Sequence, residues 1–235
     1  EQSTLYFALA DCTGHGVPGA LLSVMGMNAL DELIGSGIRR PAMLLDALRS
    51  LVSRRLNTQE DKRYDGMDMA LFAWDRQRQT ITFSGAQLPL WILREGELFE
   101  VVGQRMPIGY TYFEVNSFEE YEIQLQPKDR LFLFSDGMVD QFGGIKSKKM
   151  GRKFLREWFT RHANEPTGIL YSKLIQQFES WKGNTEQTDD CTFIILEPGV
   201  SAQSFLSAAI RVQSTNKVLS NRKEKAGVSM GVSNK

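Results

Sequence analysis

The order in which the periodic segments follow one another constrains this chain most. One apolar segment (3–10) precedes two segments with helical spacing. A run of short apolar segments then extends from 67 to 135, followed by two more helical segments and a last apolar one, Cys191–Leu196. In the middle run, Met67–Trp74, Thr80–Ser84, Leu88–Leu93 and Leu98–Val102 are joined by links such as Gln77-Arg78-Gln79 and Arg94-Glu95-Gly96-Glu97. Links this short cannot carry a parallel crossover and predict antiparallel pairing. Strand and helix do not alternate, which disfavours a doubly wound parallel sheet. The pattern predicts an α+β fold, with helices segregated against antiparallel sheets.

Residues 3–10 read as a buried strand. Pro18 suits a first helical turn, and Leu21, Leu22, Met25, Leu30, Leu33 and Ile34 recur at helical spacing until Gly35-Ser36-Gly37. Pro41 opens a second helix, after which Asn57–Asp65 is a polar loop. Tyr121–Leu125 alternates, Pro127-Lys128-Asp129 turns, and Arg130–Ser135 is a further strand. Residues 150–162 and 167–182 read as helices. Met25 and Met27 suit core packing, and His162 falls on a solvated helix face. Gly85-Ala86 is either a close approach of backbone to substrate or a tight sheet bend.

The 28 basic and 28 acidic residues balance, which makes no case for a nucleic-acid partner. Six of the basic residues and one acidic residue lie in 201–235, leaving 22 basic and 27 acidic in 1–200. The acidic body suits a cation site. We expect a domain over 1–198 and a weakly ordered basic tail over 199–235. Phe205, Leu206, Ala209, Ile210 and Val212 would form one short helix in that tail. Two cysteines, Cys12 and Cys191, are too few for a disulfide framework and read as small buried residues in a cytoplasmic protein. No apolar run reads as long enough to span a bilayer. The chain starts abruptly, so a fragment of a longer protein is expected, one that an upstream segment could anchor to a membrane.

Three aspartate sites lie where an apolar strand meets a turn. Asp11 ends the first strand and enters Cys12-Thr13-Gly14-His15-Gly16-Val17-Pro18-Gly19. Asp136 ends Leu131–Ser135 and precedes Gly137, while Asp189 and Asp190 precede Cys191–Leu196. Magnesium and manganese prefer oxygen donors and take few carboxylates from the protein. Two such ions about 3.5–4 Å apart suit attack on phosphorus. Taken singly, Asp136-Gly137 is a turn dipeptide and Asp189-Asp190 a solvated loop pair. Together, beside strands that should be buried, they point to a carboxylate metal site.

Ala10–Ala20, Phe134-Ser135-Asp136-Gly137-Met138-Val139-Asp140 and Thr188-Asp189-Asp190-Cys191-Thr192 resemble the three metal motifs of the metal-dependent serine/threonine phosphatases, the protein phosphatase 2C (PPM) superfamily. Asp65–Leu71, Phe83–Leu90, Met106-Pro107-Ile108-Gly109 and Asp140–Gly144 are similar to its bacterial sporulation-phosphatase branch. The resemblance implies a four-layer αββα sandwich with two Mn²⁺ or Mg²⁺ ions at one end. It implies Asp11 as bridging ligand, the backbone carbonyl of Cys12 beside it, Asp136 and Asp189 as further ligands, and Asp140 as an accessory one. It further implies hydrolysis of phosphoserine or phosphothreonine by metal-bound water. The substrate would be a phosphorylated switch protein of the anti-sigma-factor antagonist type, with a sensor or receiver module upstream; a homodimer stays open. His15 is either a general acid for the leaving oxygen or a residue that shapes the turn. The family carries another metal aspartate in a Gly-Gly-Asp segment before the first motif, ahead of where this chain begins. A fragment with weak metal binding and slow turnover is therefore expected. The alternatives are a silent partner-binding module of the same fold and a phosphohydrolase acting on small molecules.

Overall fold

The computed structural model describes residues 4–14, 16–56, 65–109, 116–199 and, as backbone, 209–212. His15, most of the 57–65 loop and the rest of the tail lie outside the described residues. The elements are β1 (Thr4–Cys12), α1 (Val17–Gly35), α2 (Pro41–Leu56), β2 (Gly66–Asp75), β3 (Thr80–Ala86), β4 (Leu90–Arg94), β5 (Glu97–Val101) and β6 (Ile108–Gly109). They continue with β7 (Tyr121–Gln124), β8 (Arg130–Phe134), α3 (Asp136–Asp140), β9 (Phe142–Gly143), β10 (Lys148–Lys149), α4 (Gly151–Arg161), α5 (Thr167–Lys182), β11 (Cys191–Leu196) and β12 (Ala209–Val212).

Two antiparallel sheets carry the fold. One has the order β1-β2-β3-β7, with β6 pairing the start of β2; the other has the order β12-β11-β8-β4-β5. The period of two along each strand sorts side chains into layers. On β2, Ala70, Phe72 and Trp74 face the second sheet, where Leu90, Ile92, Leu131 and Leu133 meet them. Met67, Met69 and Leu71 face the other way, onto Leu22 and Ala29 of α1 and Leu44, Leu45, Leu48 and Val52 of α2. On β8, Phe132 and Phe134 turn outward, with Trp91, onto Leu155, Trp158 and Phe159 of α4 and Leu170, Leu174 and Phe178 of α5. The result is helices, sheet, sheet, helices: the αββα sandwich. Because both faces of β2 and β8 are covered, their sequences read as near-continuous apolar runs.

Several expectations change. β3 and β4 read as consecutive hairpin strands, yet they belong to different sheets. The chain crosses between sheets over 87–89, and the end of β3 packs tightly on that link: an added Cβ on Gly85 would strike the carbonyl of Leu88. Gly85 therefore serves a tight crossing. β1 is an edge strand with only Leu9 buried, so it is not the buried strand its composition suggests. Residues 209–212, expected in a short helix, form a strand on the outer edge of β11. β-branched Ile210 and Val212 favour extended backbone, and an open strand edge offers that backbone hydrogen bonds. Met25 packs against the helical layer, but Met27 is exposed. His162 is stacked on Trp158 (ring centroids 4.2 Å apart), with its Nδ1 2.8 Å from the Trp158 carbonyl oxygen. One described helix, α1, is after all long and apolar enough to cross a membrane by length and composition, because Asp31 and Glu32 are its only charged residues. Its inward side chains Leu22 and Ala29 nonetheless pack under α2, while Val17, Leu21, Val24 and Met27 are exposed.

The turn before β8 is held by a buried ion pair. Asp129 has no exposed side-chain surface and accepts from Arg94 Nε at 2.9 Å, from Arg94 Nη2 at 2.6 Å and from the Gln126 amide at 2.8 Å. Removing one partner of such a pair strands the other charge. We expect Asp129→Asn to lower unfolding stability by about 2–3 kcal/mol, the lower end because Arg94 keeps some solvent contact. Urea unfolding should show this as a shifted midpoint with an unchanged slope.

Candidate metal centre

Four strand ends bring aspartates to one rim of the sandwich. Asp11 lies near the end of β1, and the antiparallel register sets Asp68 of β2 directly opposite. Asp136 opens α3 at the end of β8, and Asp189 precedes β11, which pairs with β8. The β1–β2 side is fastened by Thr13. Its amide donates to the Gly66 carbonyl at 2.9 Å, and its Oγ1 accepts from the Gly66 amide at 2.9 Å. The β8–β11 side is fastened by Ser135, which is 2 % exposed. Its Oγ donates to the Asp190 carbonyl at 3.0 Å and accepts from the Thr192 amide at 2.9 Å.

The glycine turn after Asp11 works through backbone conformation. Gly14 and Gly16 have φ of 81° and 72° with open space beside them, so they supply left-handed backbone. The close approach falls inside α1, where a Cβ on Gly19 would lie 2.5 Å from the Gly14 carbonyl. Asp136-Gly137 is likewise not a free turn. Asp136 begins a helix, and a Cβ on Gly137 would collide with the backbone carbonyl of Asp190. Glycine here lets α3 lie flat on the loop that carries Asp189.

The carboxylates feel one another. Burial, the charges of Asp136 and Asp189, a side-chain hydrogen bond with Asp136 and the charge of Asp68 push the Asp11 carboxyl up to about 7. Burial and the charge of Asp136 raise Asp68 to about 6. Asp136 is also raised, by burial and by Asp189 and Asp140, against the opposing pull of its bond from Asp11 and of Lys149. Asp140 closes α3 and pairs with Lys149 (2.7 Å). The Asp189 Oδ1 accepts from the Asp190 amide at 2.7 Å. Among the described residues, no three His, Cys, Asp or Glu side chains close on one point as a ligand group. The structure brings Asp11 and Asp136 into direct contact, with Asp68 and Asp189 acting on Asp11 through their charge. Repulsion among like charges opposes further closure. The donors are all hard oxygens, and Mg²⁺ needs only one or two carboxylates plus waters, so the residues present fit such an ion.

Asp68 is the residue that reading the sequence passed over. Its signal was there: a single acid inside the apolar strand Gly66–Asp75. The two cysteines differ in setting. Burial, with the charges of Glu179, Asp11, Asp189 and Asp190, pushes the Cys191 thiol up to about 12, and Cys12 Sγ accepts from Ser23 Oγ at 3.2 Å.

Two outcomes follow. Asp11 and Asp68 have folded-state pKa values above those of an unfolded chain, so the folded protein holds extra protons between about pH 4 and pH 7. Their contribution to stability is complete below about pH 4 and is lost as pH rises through the folded values. In EDTA, Asp11→Asn should therefore raise stability at pH 7.5 by about 1 kcal/mol, after allowance for solvent screening, and leave it unchanged at pH 4. Thermal unfolding at the two pH values measures this. Gly137→Ala should cost about 2 kcal/mol through overpacking, and should weaken Mn²⁺ binding measured by calorimetry.

Comparison with known proteins agrees with this architecture. Residues 1–198 match the family model described as Stage II sporulation protein E (SpoIIE). The chain is 24% identical over 203 residues to the phosphoserine phosphatase RsbU of Bacillus subtilis (strain 168), covering 83% of this chain and 56% of that protein. It thus spans little more than half the length of that curated relative. The SiaA-PP2C domain of Pseudomonas aeruginosa superposes with a TM-score of 0.69 at 27% identity, over 83% of this chain and 80% of that one. The catalytic domain of the serine/threonine phosphatase PstP, solved in complex with 2 manganese ions, shares the fold with a TM-score of 0.56 at 16% identity, over 83% and 90%. With two antiparallel sheets between helical layers and the aspartates gathered at one rim, the chain belongs to the SpoIIE family of the PPM (protein phosphatase 2C) superfamily.

Proposed function

We propose that this chain hydrolyses phosphoserine or phosphothreonine on a regulatory protein, with Mn²⁺ or Mg²⁺ held at the aspartate rim. The observation that carries the reading is the direct contact of Asp11 with Asp136, beside Asp68 and Asp189, whose charges help to raise the Asp11 carboxyl. Divalent ions bound there would supply a water acidic enough to ionise near neutral pH and positive charge to offset the phosphoryl oxygens. Asp11 and Asp136 would hold the ions, with Asp189, the Cys12 carbonyl and Asp68 at the margins. Asp140 is engaged with Lys149 and would reach the site only by giving up that pair. The apolar sandwich behind the rim keeps the ligands on short, fixed stems. The family and the similarity to RsbU support a signalling substrate; our reading takes it as a phosphorylated switch protein of the antagonist type, met in the cytoplasm.

A second reading is a domain that binds such a protein with little or no turnover. The open ligand set favours it, since among the described residues of the rim only the Asp11 and Asp136 carboxyls are in hydrogen-bond contact with each other. Hydrolysis of a phosphoserine protein with and without 1–5 mM Mn²⁺ (roughly the range that saturates weak carboxylate sites) separates the two. Metal-dependent release of phosphate, reduced at least about 100-fold by Asp11→Asn and by Asp136→Asn, is the expected result. Turnover that survives both substitutions would remove the metal rim from the mechanism. Complete inactivity with retained phosphoprotein binding would favour the second reading.

A further inference from the structure

Beside the rim stands a small hairpin, β9 to β10, that the hydrolysis itself does not use. Its base is fixed. The Gly144 amide donates to the Trp181 carbonyl at 2.8 Å, Trp181 Nε1 donates to the Gln141 carbonyl at 3.1 Å, and the Met150 amide donates to the same carbonyl at 3.0 Å. Gln141 Nε2 donates to the Glu186 carbonyl at 3.2 Å, which ties the hairpin to the segment leading to Asp189. A Cβ on Gly143 would strike the Trp181 carbonyl, so the hairpin lies flat on the end of α5. Lys149 links its last strand to Asp140, and its charge reaches Asp136.

The tip is solvent-facing. Ile145 is fully exposed, Phe142 is 40% exposed, and Lys146 and Lys148 are exposed with no carboxylate partner among the described residues. A single exposed apolar side chain is ordinary. The arrangement differs in that the tip sits on a rigid base, carries two cations and adjoins a rim of four carboxylates. Those two exposed cations give the surface beside the rim a positive charge that complements carboxylates in an approaching segment.

Resting on the phosphatase reading above, we propose that the β9–β10 hairpin docks the substrate protein. Ile145 is the apolar contact, and Lys146 and Lys148 meet acidic residues flanking the phosphorylated side chain. The occupant is a phosphoserine segment with carboxylates close to the phosphosite. The lysines are exposed, so their contribution is screened beyond about 8 Å at physiological salt and falls further as salt rises.

The test uses fluorescein-labelled phosphoserine nonapeptides flanked either by glutamates or by lysines. Binding is followed by anisotropy, which needs no turnover, and hydrolysis is followed in parallel with p-nitrophenyl phosphate as a substrate lacking flanks. The wild-type chain should bind the glutamate-flanked peptide at least about fivefold more tightly, with the margin shrinking in 0.5 M salt. Lys146→Glu combined with Lys148→Glu should reverse the preference, and Lys146→Gln with Lys148→Gln should abolish it. Both variants should turn over p-nitrophenyl phosphate within about twofold of wild type. Equal affinity of the wild type for the two peptides, or a charge-reversed variant with unchanged preference, overturns the proposal. If no substrate is hydrolysed but the binding preference and its reversal hold, the docking role stands and the catalytic reading falls.

Discussion

Asp11 against Asp136 is the contact on which the rest of this structure depends. Two carboxyl groups do not come together of their own accord. Burial and like charge raise both carboxyls, and the cost is met by the packing behind them: the face-to-face sheets, Phe72 and Trp74 from one and Ile92 and Leu133 from the other. The rim is therefore a place where local electrostatics disagree with the fold and the fold prevails. Such disagreement marks functional sites, because a strained arrangement persists only where its surroundings over-determine it.

The devices that enforce the arrangement are small and polar. Thr13 fastens the turn after Asp11 to Gly66, two residues before Asp68. Ser135 fastens the end of β8 to Asp190 and Thr192, and Gly137 lets α3 settle on the Asp190 carbonyl. Each joins segments more than fifty residues apart. Thr13 and Ser135 also satisfy backbone groups at strand ends, so structural economy and ligand placement coincide.

Much of this was legible in advance. Helices α1, α2, α4 and α5 and the long strands carry their own periodicity over enough residues to be read, and the aspartates at 11, 136 and 189 stand out against apolar runs. β6, β9, β10 and the five-residue α3 were not legible, because two to five residues cannot display a period. That β3 and β4 part into different sheets was not legible, since alternation says which face a residue occupies but not which sheet its strand joins. β12 went to a helix on composition alone, whereas an open strand edge decided its state.

What the sequence determined by itself is the inventory: which stretches are extended or helical, which acids end them, and the family those motifs resemble. That information is local, carried by side chains within a turn or two of one another. What only the tertiary structure decided is the company each acid keeps. It set Asp68 across from Asp11, brought Asp11 against Asp136, tied up Asp140 with Lys149, and laid the 142–149 hairpin on Trp181 beside them. Those relations arise from strand register and sheet packing between distant segments, and neither is written in any one stretch of chain.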